Sequence, residues 1–104
     1  MRSHSKAVLA LLVIGWASGA ALAAGDAQRG QAKSATCAAC HGTSGHSVTK
    51  TVEPLAGRPK ERIVELMQAF KTGKKPATIM QQISKGYSDQ QIEMIAGYFA
   101  AQKQ

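Results

Sequence analysis

Cys37-Ala38-Ala39-Cys40-His41 places two thiols three residues apart, with an imidazole directly behind the second. C-x-x-C-H is the attachment pattern for a c-type haem. The chemistry explains the spacing. Each thiol adds across one haem vinyl group, and two intervening residues let one short turn present both sulfurs along one porphyrin edge. His41 then projects under the iron as the proximal nitrogen ligand. Two other chemistries use paired cysteines. A thioredoxin-like dithiol belongs with a βαβ pattern, and the periodicity here contains no convincing strand. Structural zinc takes four ligands. Cys37, Cys40, His41 and His46 are the candidates, and Cys40 and His41 are adjacent in sequence. The motif therefore predicts one covalently attached haem c.

The sixth position on the iron decides between electron transfer and ligand binding. His46 follows His41 by five residues, too close to reach the opposite face. Met67 lies in the apolar stripe of a helix and reads as core, while Met94 lies beside the stripe of the last helix. Met80 sits on a short segment about forty residues past the motif, far enough to cross to the distal face. It is the expected axial ligand; the alternative is a core filler beside Ile79 and Ile83. His/Met ligation raises the reduction potential and suits electron transfer, and a soft thioether favours ferrous iron. Two further residues belong to the expected site. The Pro54 carbonyl can accept from the His41 Nδ1–H, which fixes the ring and strengthens the other nitrogen as a donor; otherwise Pro54 is an ordinary loop proline. Tyr87 can bond a haem propionate or cap the core.

These side chains need a scaffold, and the periodicity supplies four helices. The first spans about 26–39, with Asp26 as N-cap and Gly42 just beyond its end. Residues 43–58 are rich in Gly, Ser, Thr and Pro and read as an irregular loop. The second helix spans about 60–72 and stops at Gly73. Its Ile63, Leu66, Met67 and Phe70 form a buried stripe. The third begins at Pro76, a favourable first helical position, and ends at Gly86. The fourth starts at Ser88, with Gln91 completing a capping box, and buries Ile92, Ile95, Ala96 and Phe99. Gly30 offers a place where the last helix can approach closely, near Gly97 and Tyr98. The expectation is an all-α fold of about four helices around one haem. A chain of 104 residues suits a single small domain, and so small a core needs a fixed body to staple it.

Residues 1–23 read as a Sec signal peptide: Arg2 and Lys6, the apolar run 7–14, a small-residue stretch, and Ala21-Leu22-Ala23 as the cleavage pattern. An uncleaved anchor is the alternative, but the run is short for a bilayer span. Residues 24–104 then form a periplasmic monohaem domain without a membrane span. That part carries eleven basic and six acidic residues. Arg58, Lys60, Arg62, Lys71, Lys74 and Lys75 cluster around the second helix. They read either as a face that speeds encounter with an acidic partner or as a solvated surface. An exported protein without interleaved aromatics is not expected to bind nucleic acid. No nucleophile–base pair or paired carboxylates stand out, so independent catalysis is not expected.

Across residues 24–104 the chain resembles the class I c-type cytochromes. Within them it is most similar to the cytochrome subunit of flavocytochrome c sulfide dehydrogenases, in single-haem form. The matching pieces are Cys37–Thr43, Pro54-Leu55-Ala56-Gly57, Phe70-Lys71-Thr72-Gly73, Pro76-Ala77-Thr78-Ile79-Met80, Lys85-Gly86-Tyr87-Ser88-Asp89 and Ala96–Ala100. The resemblance implies Met80 as distal ligand and Pro54 as the proline beside the proximal histidine. It also implies a flavoprotein partner that oxidises sulfide at FAD and passes electrons to the cytochrome. Many such subunits carry two haems on a chain about twice as long; a single motif here implies one haem lobe. Two other functions remain open: a free shuttle to a terminal oxidase, and a five-coordinate haem that senses a gas or performs chemistry.

Overall fold

The computed structural model describes residues 18–104, and among these no strand occurs. The first helix, α1, runs Ser18–Ser34. It starts earlier than Asp26 because the alanine-rich stretch before it has high helix propensity, enough to carry the helix through Gly25. Asp26 therefore caps nothing; its carboxylate faces Arg29 at 3.6 Å on the exposed surface. Residues 1–17, most of the expected export signal, lie outside the described part.

The expected helix over 26–39 does not run through. Ser34 turns its hydroxyl back onto the Gly30 carbonyl at 2.6 Å, the kind of back-bond that bends helices. The chain tightens into a 3-10 turn at Ala35–Cys37 and resumes as α2, Ala38–His41. Gly42 ends α2 with φ +82°. A Cβ there would run into the His46 carbonyl, so only glycine makes this corner.

The loop after α2 is held to the body by backbone bonds. The amides of Leu55 and Ala56 both donate to the Gly45 carbonyl, at 2.9 and 3.2 Å, and the Gly57 amide donates to Phe99 at 2.9 Å. Then α3 spans Lys60–Lys71, close to the expected bounds. Its first turn is closed by the Pro59 carbonyl, which accepts from Arg62 and Ile63.

The third expected helix is shorter than predicted. Helix α4 is Met80–Lys85, and Pro76 is not its first residue. The chain is still turning there: Gly73 has φ +77°, and the Lys75 amide closes onto Ala69 of α3 at 3.0 Å. Helix α5, Asp89–Ala100, opens on Ser88 with both halves of the capping box formed.

The core is Ile63 and Met67 of α3 against Ile92, Ile95, Ala96 and Phe99 of α5. Helix α1 packs along α5, and α3 contacts both α4 and α5. Gly30 permits the first contact. A Cβ there would lie 2.6 Å from the Met94 carbonyl and 3.2 Å from Tyr98 Cβ. Gly97, expected at the same approach, instead faces open space.

Candidate functional site

Helix α2 and the 3-10 turn before it bring Cys37, Cys40 and His41 into one short stretch. Cys37 is half-buried and packs against the core, while Cys40 is exposed. Burial pushes the Cys37 thiol up from its ordinary value, against a smaller opposing effect of its hydrogen bond with Thr36. His41 Nδ1 lies 2.7 Å from a backbone carbonyl. A carbonyl only accepts, so Nδ1 carries the proton and Nε2 keeps its lone pair.

That carbonyl belongs to Glu53, not to Pro54 as expected. The bonds from Leu55 and Ala56 to Gly45 fix the register of this segment, and in that register Glu53 comes opposite the ring. The proline acts one residue away, since its ring restricts the backbone of the residue before it to extended conformations. The Glu53 side chain points elsewhere, to the Arg58 guanidinium at 2.6 Å. That hydrogen bond, more than the nearby positive charges, holds the Glu53 carboxyl below its ordinary range.

A cavity of about 830 Å³ opens beside His41. Cys37, Cys40 and His41 line it together with Leu66, Met67 and Phe70 of α3, Ile79 before α4, and Met80 and Ile83 of α4. All four residues of the stripe expected to be buried on α3 border the cavity, and two of them, Leu66 and Phe70, are only partly covered. Arg58, Lys75, Thr51 and Gln82 add polar groups to its lining. Ligand cavities commonly span about 300–1,000 Å³. The size, the apolar lining, two cysteines, an imidazole with a free Nε2 and a thioether at Met80 fit a c-type haem. No group of three or more His, Cys, Asp or Glu side chains suited to a bare metal ion occurs among the described residues.

Tyr87 also lines the cavity, but its hydroxyl is engaged elsewhere. It pairs with Thr36 Oγ1 at 2.8 Å and reaches the Lys33 carbonyl at 3.5 Å. These contacts tie the α4–α5 corner to the end of α1. Lys71 pins the same corner from α3, donating to the Tyr87 carbonyl at 2.7 Å and meeting Asp89 at 3.2 Å. Sequence patterns gave no sign of these two ties, because their partners are 16 to 51 residues apart.

The family model described as "Cytochrome C oxidase, cbb3-type, subunit III" matches residues 24–99. The chain belongs to the c-type cytochromes. It is 40% identical over 99 residues to cytochrome c4 of Pseudomonas aeruginosa, covering 95% of this chain and 49% of that one. The cytochrome subunit of sulfide dehydrogenase from Chlorobaculum tepidum is 38% identical over 71 residues, covering 68% of this chain and 64% of that one. Among solved structures, reduced cytochrome c4 from Pseudomonas stutzeri superposes with a TM-score of 0.68 at 35% identity, covering 74% of this chain and 45% of that one. The chain spans about half the length of the cytochromes c4 it matches. The fold is therefore the class I cytochrome fold, and the cofactor of this cytochrome is haem c. No helix among the described residues is long and apolar enough to cross a membrane.

Proposed function

We propose that this cytochrome carries single electrons in the periplasm on one haem c, bound through Cys37 and Cys40 and ligated by His41 and Met80. Bound haem supplies a one-electron couple at iron. The protein's part is to hold and tune it. The observation that carries the ligand assignment is the Nδ1–H bond of His41 to Glu53 at 2.7 Å, in a cavity that also receives Met80. The bond directs Nε2 toward ligation and makes it a stronger donor. Met80 would offer bound haem a thioether ligand, the kind that raises the potential. The apolar lining from α3 and α4 keeps water away. Residues 1–23 serve as the export signal and residues 24–104 as the working domain; removal of the leader shortens α1 but leaves Gly30 and its contacts with α5.

For the donor, we favour a flavoprotein sulfide dehydrogenase, supported by the similarity to the Chlorobaculum tepidum subunit. The likeness to cytochromes c4 supports a second reading about equally: a diffusing shuttle to a terminal oxidase. Gentle size-exclusion of the native protein, with haem and flavin absorbance recorded together, separates the two. Co-elution with an FAD protein at a fixed ratio selects the subunit; a small flavin-free haem species selects the shuttle. Ligation is tested by carbon monoxide. The ferrous wild type should resist it and Met80→Ala should bind it, whereas ready binding by the wild type means a five-coordinate haem.

A further inference from the structure

Two thioethers, not one, border the cavity: Met67 of α3 and Met80 at the head of α4. Nothing in residue type distinguishes them as iron ligands. Their surroundings do. Ser84, fully buried on α4, donates its hydroxyl to Met67 Sδ at 3.6 Å. This is an unusual choice of partner. A helical serine commonly bonds the carbonyl four residues back, here that of Met80, and sulfur is a weak acceptor. Packing of α4 on α3 has instead brought this fully buried hydroxyl onto the sulfur of the competing methionine. Among the described residues, no such bond engages the Met80 sulfur.

We infer that Ser84 is a ligand-selecting residue: its hydroxyl holds the Met67 sulfur within the α3–α4 contact and leaves Met80 as the thioether available to iron. Ser84 touches neither iron nor porphyrin in this role; it acts through Met67. The inference rests on the reading of Met80 as axial ligand. No electron or proton moves: in the Met80→Ala background a Met67 Fe–S bond would fill the position that Met80 vacates, and in the wild type it would form only as the Met80 Fe–S bond breaks.

The test uses haem-loaded full-length protein and two spectroscopic readouts: the thioether-to-iron charge-transfer band of the ferric state, and carbon monoxide affinity of the ferrous state. Met80→Ala should lose the band and bind carbon monoxide, because Met67 stays restrained. Met80→Ala/Ser84→Ala should regain the band and bind carbon monoxide about fivefold or more weakly, the scale set by loss of one hydrogen bond. Adding Met67→Leu to that pair should restore the Met80→Ala behaviour. If the double variant matches Met80→Ala in both readouts, Ser84 does not select the ligand and only packs; a lowered thermal midpoint alone would fit that outcome. If Met80→Ala keeps its band, Met80→Ala/Met67→Leu separates the two failures. Loss of the band there means Met67 escapes despite Ser84, which overturns the inference but not the ligation. Its persistence means Met80 was never the ligand, and both fall.

Discussion

At the scale of single residues, the proposed ligation by His41 turns on one backbone carbonyl, that of Glu53. Glu53 O cannot be removed by mutation, but the ring that orders it can. Pro54→Ala lifts the restriction on Glu53 and should loosen its bond to His41. A weaker Nδ1–H bond makes Nε2 a poorer donor, and ferric iron, the form that needs the donor more, loses more stabilisation. The midpoint potential should therefore rise. A hydrogen bond worth about 1 kcal/mol corresponds to roughly 40 mV in a one-electron couple, so a rise of up to about that size is expected in potentiometric titration. A fall would show that the bond acts differently. Cys37→Ala is a second test. Its haem should remain attached through Cys40 alone, and mass spectrometry with the alkaline pyridine spectrum should show one unsaturated vinyl. Loss of all covalent haem would contradict separate attachment by the two thiols.

At the scale of elements, what could be read from sequence were the features set by local chemistry. The capping box of Ser88 and Gln91 formed as expected, and so did the α5 face, because caps and 3.6-residue stripes depend on residues within a few positions. The start of α4 was not legible. Pro76 is a good first helical residue in isolation, yet the Lys75–Ala69 bond keeps the chain turning until Ile79. The proximal carbonyl was misplaced by one residue for a similar reason, since the register of the loop is set by Gly45, remote in sequence. Gly30 and Gly97 make the same point with opposite signs. Replacing a helical glycine by alanine gains up to about 1 kcal/mol in propensity. At Gly97 nothing opposes that gain, so Gly97→Ala should raise the thermal midpoint. At Gly30 the new methyl meets the Met94 carbonyl at 2.6 Å, and overpacking costs about 1–3 kcal/mol, so Gly30→Ala should lower it. Equal shifts in both would mean that α1 does not dock on α5 as described. Asp89, in the first turn of α5, links this region to pH. A hydrogen bond from the Gln68 amide, then Lys71, holds its carboxyl below the usual range. A depressed folded-state value stabilises the protein above the ordinary aspartate range, and that stabilisation disappears as pH falls through the lowered value. Asp89→Asn should thus lose stability near neutral pH and flatten the acid limb of a Tm–pH curve.

At the scale of the whole molecule, the basic cluster expected around α3 is less free than its composition implies. Arg58, Lys60, Arg62 and Lys71 each sit within 2.6 to 3.2 Å of a carboxylate, from Glu53, Glu93, Glu65 and Asp89 respectively. Of that cluster, Lys74 and Lys75 have no ion-pair partner among the described residues. Lys75 lies over the Phe70 ring at 5.5 Å and lines the cavity, and Ile79 beside it is 59% exposed. Charge that steers an oxidant toward the haem should therefore come from Lys74 and Lys75 more than from the paired residues, whose fields are largely cancelled at a distance. Oxidation of the ferrous protein by ferricyanide, a small anion, measures this directly. Lys74→Glu/Lys75→Glu should slow the reaction several-fold at low ionic strength, and Arg62→Glu should slow it less. The difference should shrink above about 0.1 M salt, where the screening length falls to about 10 Å. Equal slowing by both substitutions would mean that net charge alone sets the encounter and that the unpaired lysines beside the cavity have no special place in it.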